Sequence, residues 1–471
     1  MTKLLTFIHR WLGVAFGLFF AMWFFSGMVM MFVSYPSLSE AERLTYLSEI
    51  NIEALTISPT EALAECDLER VIGMRLISIN SRPAYICDSE YPAENIIYAD
   101  DGARGLTLQE EDIGLLIGKN IQEPIESVTQ VEYDQWTVHH RFDPYRPLYL
   151  IKLADTDETN LYVSSVTGEF VQRTTSSQRF WNYIGSVPHW IYPTLLRKNW
   201  TLWDVVVWWL SLFATVCALL GLYLGIRHWL KIRSSSTSII SPFRGLMKWH
   251  HIMGLFGGLI IISWIFSGWL SMDHGRIFST PSPTLEQVRA LNGGLFGEVS
   301  STISISDLAK YTRAKELTLH AFGGEPLLVA RDEKGIIDAP VLKPSNVVEV
   351  VSEAFPEVSV RNWSVVPKND TYTDLREGSL PLGSIRVELS DHNQTWIHID
   401  NRSGEILSVI DRSRRVYRWL YNGLHSFDIP GLADSGPFRS ILMLVLLLAG
   451  FVASLTGAVL GMKRIFGDSL R

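Results

Sequence analysis

The chain has 471 residues, of which 47% are hydrophobic and 19% charged, and its formal net charge is −8 at pH 7. This composition is too apolar for an ordinary soluble enzyme. The acidic balance argues against a nucleic-acid-binding protein, which needs a basic surface.

Four uncharged apolar runs account for the composition, because each reaches the roughly 20 residues that a membrane-spanning helix needs. The first run is too long for the apolar region of a signal peptide, and no A-x-A cleavage site follows it. The sequence therefore predicts four transmembrane helices, with uncharged cores at 11–33, 205–226, 252–272 and 440–462.

Basic residues cluster on one side of these helices. Lys3 and Arg10 precede the first span, and no acidic residue occurs before Glu40. By the positive-inside rule, the N-terminus, the loop between spans two and three and the C-terminus are cytoplasmic, and the two long segments lie outside. The other basic residues on the cytoplasmic side are Arg227, Lys231, Arg233, Arg244, Lys248, Lys463 and Arg464.

In chain order, we expect a span, an outer α+β region, an interfacial helix with its connection and another span, and then the same series again. In the first half these parts are residues 8–34, 35–176, 177–202 and 203–229. A cytoplasmic loop, 230–248, leads to the second series, 249–272, 273–413, 414–437 and 438–463, and a cytoplasmic tail, 464–471, follows.

The outer segments carry patterns of both strands and helices. Residues 146–153 and 160–163 predict a β-hairpin around an Asp- and Thr-rich turn, and 384–389 with 395–399 predict a second one. Residues 345–354 have the pattern of an amphipathic helix. The aromatic-rich stretches 178–190 and 415–427 predict interfacial helices. Cys66 and Cys87 lie in the first outer segment, where oxidation is permitted, but the sequence leaves their pairing open.

An internal repeat relates the two halves of the chain. It predicts two parallel repeats around a pseudo-two-fold axis along the membrane normal. At an offset of 241 residues, it matches His9, Gly13, Gly17, Ser26 and Gly27 with His250, Gly254, Gly258, Ser267 and Gly268. At an offset of 236 residues, it matches His189, Gly221 and Gly225 with His425, Gly457 and Gly461.

The repeat produces one histidine pair at each side of the membrane. His9 and His250 lie at the cytoplasmic ends of spans one and three, whereas His189 and His425 end the two interfacial helices. Two neutral imidazoles facing each other across an iron can hold a haem, and an ionisable residue in a membrane segment is a functional hypothesis by default. The competing interpretation is that these histidines only anchor the helices at the interface.

The other histidines have no equivalent histidine in the repeat. His251, next to His250, and His228, on a basic helix end, are the alternate haem ligands, and His274 is a less favoured candidate. His139 and His140 stand in the first outer region, where they could touch a substrate. The remaining histidines show no metal-ligand spacing and are interpreted as structural: His320, His392 and His398.

Glycines in the spans allow two interpretations. Each span carries a G-x-x-x-G motif, which permits close packing of helices. The same lack of side chains would let the face of a porphyrin lie against a helix. The sequence leaves both open for Gly13 and Gly17, Gly221 and Gly225, Gly254 and Gly258, and Gly457 and Gly461.

Six stretches resemble a known family, the PepSY-associated transmembrane proteins, and this resemblance covers essentially the whole chain. They read WTVHHRFDPYRPLYLIKL, LYVSSVTGEFV, RFWNYIGSVPHWIYP, KWHHIMGLFGGL, SGWLSM and YNGLHSFDIPGL. The resemblance implies a multi-pass protein of the bacterial inner membrane, with periplasmic α+β PepSY-like domains. It also implies two b-type haems held by membrane histidines and the reduction of ferric iron or ferric siderophores.

The expected function is therefore electron transfer from a cytoplasmic-side haem to an outer haem that reduces ferric iron or a ferric chelate in support of iron uptake. No G-x-G-x-x-G motif follows a predicted strand, so a separate donor, a quinol or a reduced flavin, is expected. Other expected partners are a ferrous iron importer and membrane lipid, and no nucleic acid. The alternative is a non-redox PepSY accessory or regulatory protein that binds a ligand or a partner protein.

Overall fold

The computed structural model describes residues 2–66, 69–88, 96–234, 240–279, 282–375 and 378–467. The predicted cytoplasmic loop, 230–248, and tail, 464–471, lie partly outside the described residues. The chain forms two compact units. Unit one comprises Met1–Tyr35, Ser177–Ser279 and Arg414–Arg471, and unit two comprises Pro36–Ser176 and Thr280–Ser413.

The α-helices are, in chain order, α1 (Thr2–Met30), α2 (Glu40–Thr45), α3 (Pro59–Ala64), α4 (Glu110–Asn120), α5 (Ser176–Ile184), α6 (Ser186–His189), α7 (Thr194–Arg197), α8 (Trp200–Arg233), α9 (Gly245–Leu270), α10 (Leu285–Asn292), α11 (Phe296–Val299), α12 (Ile305–Leu308), α13 (Pro344–Ala354), α14 (Arg412–Arg418), α15 (Leu424–Ser426) and α16 (Pro437–Phe466). The strands are β1 (Gly73–Ile79), β2 (Arg82–Asp88), β3 (Ile96–Tyr98), β4 (Ile125–Val131), β5 (Leu148–Leu153), β6 (Asn160–Ser164), β7 (Phe170–Thr174), β8 (Glu316–Phe322), β9 (Glu325–Asp332), β10 (Gly335–Asp338), β11 (Val360–Val365), β12 (Ile385–Leu389), β13 (Trp396–Ile399) and β14 (Ile406–Ile410).

Among the described residues, four helices are long and apolar enough to cross a membrane, and all of them lie in unit one. They are α1, α8, α9 and α16, here called spans one to four. This finding confirms the prediction of four transmembrane helices. Span two begins at a capping residue, because the side-chain oxygen of Asn199 accepts a hydrogen bond from the backbone N–H of Leu202. We call the end of the bundle with Met30, Trp200, Leu270 and Pro437 the large-segment end. The opposite end, with Thr2, Arg233, Gly245 and Phe466, is the terminal end.

The helices of the bundle pack against each other through small residues and through aromatic rings. A Cβ added at Gly17 would lie 3.0 Å from Cα of Ala458, so the backbones of spans one and four approach closely there. Between spans one and three, the rings of Phe24 and Trp264 meet edge to face with their centroids 5.9 Å apart. Within lipid, such van der Waals packing stabilises helix association in place of the hydrophobic effect.

Both predicted interfacial helices are interrupted. Residues 178–190 form α5 and α6, which meet at Gly185, where an added Cβ would lie 3.1 Å from the Trp181 carbonyl oxygen and from a methyl group of Val29. Residues 415–427 form the end of α14, a π-helical turn over Trp419–Gly423, and α15. These interruptions bring each segment back toward the bundle and place its histidine against a span.

In unit two, the residues that the structure describes form three antiparallel sheets. The predicted hairpins are confirmed, because β5 pairs with β6 and β12 pairs with β13. The predicted amphipathic helix is α13, which buries Val347 and Val351. The sequence did not predict that β1 of the first long segment pairs with β8 of the second. This pairing joins the two segments in one six-stranded sheet of order β10-β9-β8-β1-β2-β3.

Two features stabilise the interior of unit two. Cys66 and Cys87 form a disulfide between the chain after α3 and strand β2. In addition, two arginines, Arg43 and Arg75, contact two nearly fully buried carboxylates, Glu169 and Glu316, at 2.8–3.2 Å. Burial alone would raise the pKa of Glu169, but Arg75 and then Arg43 outweigh it and lower this pKa to about 2.

Candidate functional site

The structure brings His189 and His425 together at the large-segment end of the bundle. Their ring centroids are 6.1 Å apart and their planes are inclined by 70°. His189 ends α6 and lies against Gly27 of span one, whereas His425 lies in α15 against Gly268 of span three. An added Cβ would be 3.5 Å from the His189 ring at Gly27 and 3.4 Å from the His425 ring at Gly268, so each glycine is in ordinary contact distance of an imidazole.

A serine and a tryptophan of span one hold the His189 segment. Nδ1 of His189 lies 3.0 Å from the hydroxyl oxygen of Ser26, which itself donates to the Met22 carbonyl at 2.6 Å. The indole N–H of Trp23 donates to the His189 carbonyl oxygen at 3.0 Å. Because the serine proton is used within its helix, the serine oxygen accepts the Nδ1 proton and leaves Nε2 of His189 with its lone pair.

The same set of contacts occurs at His425. Nδ1 of His425 lies 3.0 Å from the Ser267 hydroxyl oxygen, and Ser267 donates to the Trp264 carbonyl. The indole N–H of Trp264 donates to the His425 carbonyl oxygen at 2.8 Å. Buried Arg418 forms an ion pair with Asp428 at 3.0 Å, which joins the two ends of the segment that carries His425. The sequence repeat had included both serines, but their role as partners of the histidines was not predicted.

At the terminal end, the rings of His9 and His250 contact different helices. Nδ1 of His9 donates to the Cys217 carbonyl oxygen of span two at 3.1 Å, and Nδ1 of His250 donates to the Ala453 carbonyl oxygen of span four at 3.2 Å. Since a carbonyl can only accept, Nε2 of each ring keeps its lone pair. Cys217 and Ala453 are separated by the same 236 residues that separate His189 from His425.

A glycine of a neighbouring span lies against each of these two rings. An added Cβ at Gly221 would lie only 2.7 Å from Cε1 of His9, and one at Gly457 would lie 3.0 Å from Cε1 of His250. By contrast, a Cβ at Gly13 or Gly254, one helical turn after each histidine, would meet no atom within 4 Å. The glycines of these motifs therefore have different neighbours. Gly17 allows two helices to pack closely, and Gly221 and Gly457 leave space for an imidazole. Gly13 and Gly254 have no side chain of another described residue close to the position of an added Cβ.

The alternate ligands His228 and His251 also face each other. Their ring centroids are 6.4 Å apart, and Phe243 contacts both rings. Nε2 of His251 donates to the Gly225 carbonyl oxygen at 3.1 Å, so its Nδ1 is the nitrogen without a hydrogen-bond partner in the described structure. The terminal end thus offers a second histidine pair beside His9 and His250.

The remaining histidines fall into separate environments. His398 is buried between the Arg386 guanidinium and the Ser408 hydroxyl, at 2.9 Å from each, which fits the structural role predicted for it. His274 pairs with Asp204 at the large-segment end. Among the described residues, no group of three or more His, Cys, Asp or Glu side chains is arranged to hold a metal ion. The histidines His9, His189, His250 and His425 of unit one, with the alternates His228 and His251, are therefore the candidate site.

Comparison with known families adds one finding to this geometry. The model of the PepSY-associated TM region matches residues 6–293, which include spans one to three and the first long segment. No curated protein matches the sequence. Because the matched region makes up more than half of the chain, this protein belongs to the family that carries the PepSY-associated TM region.

Proposed function

We propose that this chain is a di-haem electron-transfer protein of the bacterial inner membrane. It reduces ferric iron or ferric chelates on the periplasmic side and so supports iron uptake. The observation that carries this proposal is the facing pair His189 and His425, each with Nδ1 held by a serine of a span.

The hydrogen bonds of the four histidines suit axial ligation. An imidazole that ligates a metal through one nitrogen almost always donates the other N–H to an oxygen, which fixes the tautomer and the ring orientation. His189, His425, His9 and His250 all direct Nδ1 to an oxygen, and so keep Nε2 free to bind iron. This shared arrangement supports two sites, one at each end of the bundle.

The spacing of the rings at the large-segment end is also suitable. An iron atom held by both rings would need a gap for two metal–nitrogen bonds of about 2 Å each. The centroids of His189 and His425 are 6.1 Å apart. We therefore assign His189 and His425 to the outer haem.

At the terminal end, we assign His9 and His250 to the inner haem and keep His251 and His228 as alternates. The open positions Gly13 and Gly254 follow the two primary ligands by one turn on the same helix face. This leaves room beside each imidazole for a flat ring. The alternate pair instead has Phe243 against both imidazoles, which occupies the space beside them.

A haem held by these histidines would supply one-electron chemistry. The chain's own residues would hold the ligands in place and fix which ring nitrogen is free. Reduction matters for uptake because Fe(II) binds hard-oxygen chelators more weakly than Fe(III) does, so the iron is released for a ferrous importer. The reducing equivalents come from a separate donor, a quinol or a reduced flavin.

Two observations support a periplasmic placement of unit two. The basic residues cluster at the terminal end, which the positive-inside rule assigns to the cytoplasm. Unit two contains the Cys66–Cys87 disulfide, which is typical of an oxidising compartment.

The function is tested with purified protein that was expressed with an adequate supply of haem. We expect the reduced absorbance bands of a bis-histidine haem after anaerobic addition of dithionite, and rapid reoxidation when a ferric chelate is added. A gallium chelate, which has the same charge and cannot be reduced, is the control. A protein without haem absorbance, or one that ferric and gallium chelates leave equally reduced, contradicts the proposal and favours the non-redox alternative.

A further inference from the structure

Asp204 is the one acidic residue within the four spans as the structure bounds them. It is the fifth residue of span two, close to the large-segment end, and its side chain is only 15% exposed. Asp204 directly precedes the uncharged core 205–226, and an ionisable residue at the border of a membrane span is a candidate functional residue. Asp204 is not one of the proposed haem ligands.

Asp204 is paired with His274, which follows span three. Its Oδ2 lies 2.5 Å from Nδ1 of His274, and the His274 side chain is 39% exposed. The carboxylate accepts the Nδ1 proton, so Nε2 of His274 keeps a lone pair on an accessible ring. A carboxylate that orients an imidazole in this way forms a general base.

The surroundings of this pair suit an aromatic, lipid-soluble molecule. The ring centroid of Trp208 lies 5.1 Å from the ring centroid of His274 and 5.6 Å from that of Trp269. The indole N–H of Trp269, whose ring contacts Trp208, is buried and has no acceptor in the described structure, so a hydrogen-bond donor is left unused there. Leu202, Val205 and Trp209, which are close to Asp204 in sequence, and Ile277, three residues after His274, have exposed apolar side chains.

The pair also adjoins the segments that carry the outer histidines. The residue before Asp204, Trp203, donates its indole N–H to the carbonyls of Trp190 and Ile191, directly after His189. Three residues before His274, the Ser271 carbonyl accepts a hydrogen bond from the Tyr417 hydroxyl. Tyr417 contacts Tyr421, which in turn stacks on His425. A continuous set of contacts thus links the acid–histidine pair to both outer ligands.

We propose that Asp204 and His274 form the site at which a lipid hydroquinone is oxidised. This inference rests on the proposed function, of which it names the electron donor and the entry point. One hydroquinone O–H bond breaks and its proton passes to Nε2 of His274, and the second proton passes to water at the surface. The two electrons reduce two ferric complexes to ferrous, and the hydroquinone becomes a quinone. Electrons then enter at the end of His189 and His425 rather than at the cytoplasmic end.

Binding is tested first, independently of turnover. The equilibrium binding of decylubiquinol to the detergent-purified protein is measured both with and without bound haem. We expect Asp204→Asn and His274→Ala to raise the Kd at least tenfold in both states, and His392→Ala, an exposed histidine of unit two, to leave it unchanged. Equal binding by all variants overturns the inference.

Electron transfer is tested next by the anaerobic reduction of the haem absorbance with decylubiquinol. The informative variant is His274→Asn, whose amide N–H can still bind Asp204 but which has no equivalent of Nε2. We expect it to slow reduction by at least about 100-fold, the typical contribution of a general base, while reduction by dithionite stays complete. Wild-type rates in His274→Asn, or reduction by reduced flavin but not by decylubiquinol, contradict the site. A protein that dithionite cannot reduce contradicts the proposed function instead.

Discussion

The hydroxyl oxygen of Ser26 lies 3.0 Å from Nδ1 of His189, and this contact determines which nitrogen of the imidazole remains free. Ser267 and His425 are separated by the same distance. In both cases the serine belongs to a span and its proton is bound within that helix. The rigid helices of the bundle, rather than the connecting segments, therefore orient the two outer imidazoles.

Replacing Ser26 tests this role. In Ser26→Ala, the buried Nδ1–H of His189 loses its acceptor, which costs about 1–3 kcal/mol. Loss of such an outer hydrogen bond weakens metal binding about 10- to 100-fold. We expect a matching increase in the rate at which haem is lost to excess apomyoglobin. The control is Ser454→Ala, because the Ser454 hydroxyl donates to the Gly450 carbonyl of its own helix and forms no hydrogen bond with any of the described histidines. Equal rates in the two variants would show that Ser26 does not support the ligand.

Replacing Gly221 tests whether the position of the His9 imidazole depends on the contact with this glycine. In Gly221→Ala, the new methyl group would lie 2.7 Å from Cε1 of His9, which is closer than real Cβ contacts, so the imidazole must move. We expect loss of the inner haem with retention of the outer one, measured as half of the wild-type haem content. Gly225→Ala is the control, since its Cβ would contact only Leu255 at 4.0 Å. If Gly221→Ala keeps the full haem content, then His9 is not an inner ligand in this orientation.

The carboxylate cluster of unit two predicts a dependence of stability on acid. The pKa of Glu169 is about 2 in the folded state, against an ordinary value of 4.5, because the attraction of Arg75 and Arg43 exceeds the cost of burial. Its contribution to the free energy of unfolding is therefore present above pH 4.5 and is lost as the pH falls toward 2. Thermal unfolding of the full chain between pH 7 and pH 3 measures this loss.

Glu169→Gln separates this carboxylate from the other acids. It leaves Arg75 and Arg43 undercompensated, so we expect the free energy of unfolding at pH 7 to fall by about 3 kcal/mol. The part of the acid sensitivity due to Glu169 should disappear at the same time. Glu111→Gln, at an exposed position of α4, should change neither quantity. An unchanged acid sensitivity in Glu169→Gln would assign the effect to other groups.

The disulfide predicts a simple pattern of thiol labelling. The chain has three cysteines, of which Cys66 and Cys87 are bonded and Cys217 is a buried free thiol. After denaturation without reductant, one cysteine should react with an alkylating agent, and after reduction all three should react. Removal of the bond in Cys66→Ser/Cys87→Ser should cost about 2–4 kcal/mol of stability. Alkylation of three cysteines before reduction would mean that the bond does not form in cells.

The sequence predicted the elements whose pattern is local. Spans, hairpins and α13 follow from runs or periods of apolar residues over 5–25 positions, as in 345–354. The pairing of β1 with β8 escaped prediction because its partners, such as Met74 and Leu319, are far apart in the chain and both are ordinary apolar strand residues. The breaks at Gly185 and at Trp419–Gly423 depend on tertiary packing, which no local pattern encodes.

The repeat allowed us to predict which histidines are equivalent, but it did not predict how their rings are arranged. It identified His189 and His425 as equivalent, but not that their rings face each other, since ring spacing depends on how α6 and α15 return to the bundle. The pairing of Asp204 with His274 was not predicted, because the other half has no matched acid–histidine pair and the two residues meet only when spans two and three pack together.

Haem stoichiometry, determined by the pyridine haemochrome method, tests the central claim most directly. We expect two haems per chain in the wild-type protein, one in His189→Ala/His425→Ala and one in His9→Ala/His250→Ala, with His392→Ala as a control that retains two. The parallel variant His251→Ala/His228→Ala should also retain two. Two haems in every variant, or none in the wild-type protein, would contradict the assignment of these histidines as haem ligands.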